Sequence, residues 1–166
     1  KVTGLSKPSN KADWLIDLAQ QRDGDPFVVF TDTPLFATLL RDELRKKNID
    51  SRVIKGDTTP KSSAASVKLF QKGVLPVIII TRAGAESITL TAGDLIVYAM
   101  LSHIAVANSQ AMFRTRRHGQ QRPTQEIYLH SSGTVDEIKR AALTGKLQMQ
   151  DSMELDEKGA VKLFTG

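Results

Sequence analysis

Short apolar runs that recur between amphipathic stretches constrain this chain more than any other feature. "FVVFT" (27–31), "PVIIIT" (76–81) and "LIVYA" (95–99) are continuous apolar segments, too short for a buried helix and rich in β-branched and aromatic side chains. "SRVI" (51–54) and "EIYLH" (126–130) are shorter runs of the same kind. Each reads as a strand buried on one or both faces. Helical spacing fills the gaps. Four or five strands alternating with helices imply βαβ units: an α/β fold with a parallel sheet and helices on both faces. Loops at the carboxyl ends of the strands carry ligands in such folds. The loops after Phe30, Ile54, Ile80, Tyr98 and Leu129 are therefore the ones to inspect.

The helices have readable ends. "NKADWLIDLAQQ" (10–21) places Trp14, Leu15, Leu18 and Ala19 at helical spacing, and Asn10 with Asp13 resembles a capping pair. "DGDP" (23–26) reads as a turn. Thr33-Pro34 reads as N-cap and first helical residue, with Leu35, Phe36, Leu39, Leu40 and Leu44 forming one face. Asp42 with Lys46 and Glu43 with Lys47 are spaced for i,i+4 pairs, and Asn48 is a helix stop. Residues 61–71 are expected to be a helix that packs Val67, Leu69 and Phe70. Further helices are expected over 104–115 and 134–147. No repeat or low-complexity tract interrupts the pattern.

Composition narrows the class. The chain has 166 residues, 40% apolar and 25% charged, which suits one globular domain. It lacks cysteine, which excludes a disulfide scaffold, a Cys-based metal site and a thiol nucleophile, and accords with a reducing compartment. No apolar run is long enough to span a bilayer, and no signal peptide opens the chain. Its first residue is Lys1 rather than Met, so a fragment or a trimmed chain is the expectation. Net charge is +5. The last sixteen residues hold four acids against Lys158 and Lys162, so residues 1–150 carry +7. A basic body suits a polyanionic partner such as nucleic acid, and equally suits ordinary solubilising charge.

Two segments carry chemistry. "TRAGAESITLTAGD" (81–94) follows the third long strand. Thr81 stands at a strand end, where a hydroxyl and free amides bind phosphate, and Gly84 permits a close backbone approach or a positive φ. An ordinary loop of turn residues fits the same letters. In "QAMFRTRRHGQQR" (110–122), Gln110, Arg114 and Arg117 fall on one helix face while Arg116 points elsewhere. Inward-facing arginines are costly unless they meet an anion, and the planar guanidinium binds phosphate oxygens in pairs. A basic helix on a solvated surface, or a plain DNA-backbone patch, is the competing reading. No Walker A sequence and no G-x-G-x-x-G after a strand is present; Gly145-Lys146 is followed by Leu.

Together these two segments resemble motifs V and VI of the superfamily-2 helicase-like ATPases, most closely the Swi/Snf-type branch. That branch reads roughly [ST]-x-A-G-x-x-G-[IL]-N-L-T-x-A-D and then Q-A-x-x-R-x-x-R-x-G-Q. The chain supplies Thr81, Ala83, Gly84, Ile88, Leu90, Thr91, Ala92 and Asp94, then Gln110, Ala111, Arg114, Arg117, Gly119 and Gln120. "FVVFTDTPLFATLLRDEL" resembles motif IV with its helix, "VIKGDTTP" the following strand and turn, and "SSGTVDEI" (131–138) the segment that closes the lobe. The likeness covers about residues 9–143. Ser87 replaces the usual second Gly, Thr89 the usual Asn, and Phe113 a common acid. Ser63 stands where an arginine is frequent, and "MLSHIAV" (100–106) lacks the Trp-Asn-Pro of the family. A divergent member, viral or bacterial, is the expectation.

The resemblance implies a RecA-like lobe over residues 10–147, after a lead-in (1–9) and before a C-terminal extension (148–166). It implies the second of two lobes, with ATP and Mg2+ held mainly by an N-terminal RecA-like lobe of the same protein. Arg114 and Arg117 are then arginine fingers, and Gln110, Gly84, Ser87 and Thr89 border the nucleotide. Thr31, Gly56, Asp57, Thr58, Thr81 and Arg82 then occupy the loops that grip DNA, with duplex DNA the expected form. The implied setting is intracellular: the cytoplasm of a bacterial or virus-infected cell, or the nucleus. The fragment alone is expected to be inactive. A RecA-like module kept for DNA or protein contacts without turnover is the main rival. A different doubly wound nucleotide protein is a third class, disfavoured by the missing Gly-rich phosphate loop.

Other residues read more plainly. Trp14 is expected to pack the first helix rather than stack on a base. His103, His118 and His130 lack metal-ligand spacing, and no metal site is expected. Met100 and Met112 read as core filling. The acidic tail, 151–166, is a solvated extension or a contact to a missing part.

Overall fold

A computed structural model describes residues 10–84, 88–100 and 123–129. Helix α1 (Asn10–Gln21) leads into β1 (Phe27–Thr31), α2 (Pro34–Lys46), β2 (Ser51–Ile54), α3 (Pro60–Gln71), β3 (Val77–Thr81), β4 (Leu95–Met100) and β5 (Gln125–Tyr128). The five strands form one parallel sheet in the order β2-β3-β1-β4-β5. The predicted alternation therefore holds, with strand ends displaced by a residue or two. The predicted helices over 104–115 and 134–147, Met112, the three histidines and the tail lie outside the described residues.

Strand periodicity divides the core into two layers. Phe27, Val29, Val77, Ile79, Leu95, Val97 and Ala99 face α1 and α2, meeting Leu15, Ala19, Phe36, Leu40 and Leu44. Val28, Phe30, Ile54, Ile78, Ile80, Ile96 and Tyr98 face the other way, against Phe70, Leu75, Ile88 and Leu90. Helices α2 and α3 thus cover opposite faces. Right-handed crossovers require this, because β1 to β2 moves toward one sheet edge and β2 to β3 moves back. The inner strands β1 and β3 are buried throughout, whereas β2 and β5 are only partly so. That difference explains the unbroken apolar letters of the inner strands and the mixed letters of the edges.

The turns follow local chemistry. Asp23 and Gly24 take positive φ in the turn before β1, and Asn48 does so after α2. Thr33 precedes Pro34 as expected, although its side chain makes no capping bond, and Thr59 caps α3 by accepting from the Ser62 amide at 3.3 Å.

Four expectations need correction. Trp14 is 39% exposed; Ala12 and Ile16 occupy the buried face of α1 instead, because the face centres on Leu15 and Ala19. Leu35 and Leu39 lie exposed at the side of α2, whose buried stripe is narrowed to Phe36, Ala37, Leu40 and Leu44. Glu43 pairs with Lys46 at i,i+3 (2.6 Å) rather than with Lys47, since three and four residues bring side chains equally near on a helix. Asp42 pairs with its neighbour Arg41 at 2.7 Å, not with Lys46. Met100 does pack against the core. No helix among the described residues is long and apolar enough to cross a membrane.

Candidate functional site

The carboxyl edge of the sheet brings together loops that are distant in sequence. Thr31 and Thr81 end adjacent strands and are partners in the ladder. Both are buried. The Oγ1 of Thr31 accepts from the Thr33 amide at 3.3 Å. The Oγ1 of Thr81 is buried and has no hydrogen-bond partner. An unmatched buried hydroxyl costs about 1–3 kcal/mol, so Thr81 stands out at this edge.

The loops after β2 and β3 interlock backbone to backbone. A Cβ on Gly84 would collide with the Ile54 carbonyl and lie 2.8 Å from the Lys55 nitrogen. Glycine is therefore required at 84 for close approach. The Gly84 amide donates to the Thr81 carbonyl at 3.0 Å, which closes the turn. Gly56 faces Ala83 across the same junction.

The turn after β2 fastens itself. Thr58 Oγ1 accepts from the Lys55 amide at 2.9 Å, and the Thr58 amide donates to the Lys55 carbonyl at 2.9 Å. Lys55 Nζ lies 3.1 Å from the exposed Asp57 carboxylate. A carboxylate only accepts hydrogen bonds, so Asp57 meets a phosphate only with a cation such as Lys55 between them. The run "VIKGDTTP" contains this lysine, but nothing in the letters alone separates it from any surface lysine.

A groove of about 600 Å³ runs along the face that α3 covers. Gly56, Thr58, Gly84 and Thr89 line it, with the Lys55 and Lys68 side chains supplying positive charge. Thr31 and Thr81 continue the strand parity of the opposite layer, toward α1 and α2. The DNA-contact residues expected from the sequence are thus divided between the two sides of one edge. Asp57 and Arg82 project outward, exposed. Gln110, Arg114, Arg117 and Ser87 lie outside the described residues.

Three supports were not foreseen. The Gln71 side chain, at the end of α3, clamps the segment after β3. Its Nε2 donates to the Thr89 carbonyl at 3.1 Å and to Thr91 Oγ1 at 3.2 Å, and its Oε1 accepts from the Ala92 amide at 2.7 Å. A glutamine at a helix end carries no sequence signal for such a role. At the opposite edge of the sheet, Arg22 bridges Asp25 and Asp94 and lies over the Phe27 ring at 5.8 Å. Asp94, the last residue of the motif V likeness, therefore belongs to a brace at the amino edge. Lys11, buried near the start of α1, donates to the Ala99 carbonyl at 2.8 Å and ties α1 to the carboxyl end of β4.

Residues 10–119 match the helicase conserved C-terminal domain. This chain belongs to that family. It is a superfamily-2 helicase lobe of the Swi/Snf type, with the RecA-like sheet of that lobe. A chromodomain-helicase-DNA-binding protein 1-like from Danio rerio is 25% identical over 80% of this chain and 13% of its own length. A SWI/SNF-related matrix-associated actin-dependent regulator of chromatin, subfamily A-like protein 1, from Xenopus laevis is 28% identical over 93% of this chain and 16% of its own. The crystal structure of the C-terminal part of the Fun30 ATPase domain superposes with a TM-score of 0.75. It covers 81% of this chain and 45% of that one at 18% identity, a likeness of fold. The helicase lobe thus spans less than a fifth of the two relatives it matches in sequence.

Proposed function

We propose that this lobe is the C-terminal half of an ATP-dependent DNA translocase, with residues 10–147 as the working unit. The observation that carries the reading is the carboxyl edge, where a family-matched sequence gathers two interlocked loops, with a cationic groove on one side and an orphaned threonine hydroxyl on the other. In this reading Arg114 and Arg117 reach across to ATP bound on an N-terminal lobe. They stabilise charge that develops on the phosphoryl group as it transfers, an effect of about 10³–10⁵ in rate for arginine fingers elsewhere. Gln110, Ser87 and Thr89 border that nucleotide, and Gly84 sets the backbone path that presents them.

The residues present fit a phosphate partner. Lysine side chains, hydroxyls and a buried donor without an acceptor suit phosphate oxygens. Among the described residues no group of three or more His, Asp or Glu is placed to hold a metal, and the reading assigns Mg2+ to the N-terminal lobe. Thr31, Gly56, Asp57, Thr58, Thr81 and Arg82 contact the DNA backbone through hydroxyls, loop amides and charge, without reading bases. Binding of this kind is salt-dependent and largely sequence-independent. Opening and closing of the two lobes through the ATP cycle then moves the protein along duplex DNA. Of the settings the resemblance allows, the vertebrate chromatin regulator among the relatives favours the nucleus.

The test uses the complete two-lobe protein. Arg117→Ala is expected to abolish DNA-stimulated ATP hydrolysis while leaving DNA binding largely intact. Near-normal turnover would overturn the finger role, and turnover absent from the parent protein as well would favour a non-catalytic binding module.

A further inference from the structure

The sheet has an open side along β2. Among the described residues β2 pairs with β3 alone. A parallel strand sends the amide and carbonyl of alternate residues to opposite sides, so half of those on β2 point outward. That outward side is the floor of a groove of about 760 Å³, walled by α2 and α3. Helix α2 contributes Arg41 and Arg45, the strand Ser51 and Arg52, and α3 Ser62 and Ser66.

The groove is positive and incompletely satisfied. Arg41 is paired with Asp42. Arg45 and Arg52 have no carboxylate partner among the described residues. Asp50 is the one acid on its lining. Ser51 is only 7% exposed, and its Oγ is buried without a hydrogen-bond partner. None of these groups takes part in the carboxyl-edge site.

We propose that the β2 edge is a docking site for an acidic, extended peptide segment of a partner protein, which adds to the sheet as a further strand. The outward amides and carbonyls of β2 supply the ladder hydrogen bonds. Side chains of an added strand alternate between the two walls, so acidic residues reach Arg45 on one side and Arg52 on the other. Charge also decides against the copy most available, a second β2. Edge-to-edge pairing of two such strands brings arginines together, which is destabilising. A trough with helical walls suits a strand better than a duplex, whose convex backbone would meet the walls and leave the strand edge uncovered.

The probe is a fluorescein-labelled peptide of about four Glu-Val repeats, titrated into this chain and followed by anisotropy. Saturable binding is expected, with slowed amide exchange at residues 51–53. Arg45→Glu with Arg52→Glu is expected to weaken binding about tenfold or more, while its melting curve shows it folded. The same peptide N-methylated at alternate residues keeps its charge but loses strand hydrogen bonding; it is expected to bind about tenfold more weakly to the unaltered chain, a comparison that needs no variant. Absent binding of the parent peptide overturns the proposal. Equal binding of the N-methylated peptide overturns it too, in favour of a patch that senses charge alone. Loss of duplex DNA binding in the double variant, with peptide binding unchanged, overturns it in favour of a nucleic-acid contact.

Discussion

The two ends of the sheet are closed by different contacts. At the amino edge Arg22 joins Asp25 and Asp94 and the Gln125 amide donates to the Asp94 carbonyl at 2.7 Å, although the buried Ser51 Oγ at the start of β2 has no partner. At the carboxyl edge a buried threonine hydroxyl has no partner, Arg82 lies exposed, and lysines line a groove. Both ends belong to the same strands, so the difference does not come from the sheet. It comes from the connections: at the amino end Arg22 closes them with ion pairs, and at the carboxyl end the loops after β2 and β3 pack backbone to backbone and leave the Thr81 hydroxyl buried and unmatched. A polar group left unmatched costs stability and persists where a ligand supplies the missing partner.

Substitutions can break that contrast, beginning with the loop junction. Gly84→Ala places a methyl group on the Ile54 carbonyl. A stability loss of about 2–4 kcal/mol in urea unfolding is expected, because backbone must move to admit it. A loss below about 0.5 kcal/mol would mean that the loops are not interlocked. Arg22→Met removes the amino-edge brace and leaves two carboxylates without their shared guanidinium. About 2–3 kcal/mol is expected by the same measurement, with little change in duplex DNA affinity. Gln71→Ala should cost less, about 1–2 kcal/mol, as the Ala92 amide and Thr89 carbonyl lose their clamp. Hydrogen exchange would locate its effect at residues 89–92; uniform loosening of the lobe would contradict the clamp.

Much of this contrast is visible in the sequence at the level of elements and little of it at the level of contacts. "FVVFT" and "PVIIIT" declare inner strands because both their faces are buried, and Thr33-Pro34 declares a helix start because proline suits the first turn. Trp14, Leu35 and Leu39 mislead because helical spacing marks an apolar side without fixing how wide a stripe the neighbours cover. Thr81 and Gly84 were legible as a strand-end hydroxyl and a close backbone approach. Gln71 and Arg22 were not, since the Thr89–Ala92 segment and Asp94 are brought near them only by the fold, and Lys55 was not, since its letters match those of any surface lysine. Asp94 shows the reverse limit: it is the last letter of a family-like motif, and its side chain belongs to the brace at the other end.

The most direct test compares Thr81→Val with Arg22→Met in the complete two-lobe protein, measuring urea stability and duplex DNA affinity on the same samples. Valine keeps the shape of threonine and removes the unmatched hydroxyl. Thr81→Val is therefore expected to hold or slightly raise stability while weakening DNA binding several-fold, by about 1 kcal/mol for one lost phosphate contact. Arg22→Met is expected to do the opposite, losing stability and keeping affinity. If Thr81→Val binds DNA as tightly as the parent, or if Arg22→Met is the variant that loses affinity, the carboxyl edge is not the working edge of this lobe.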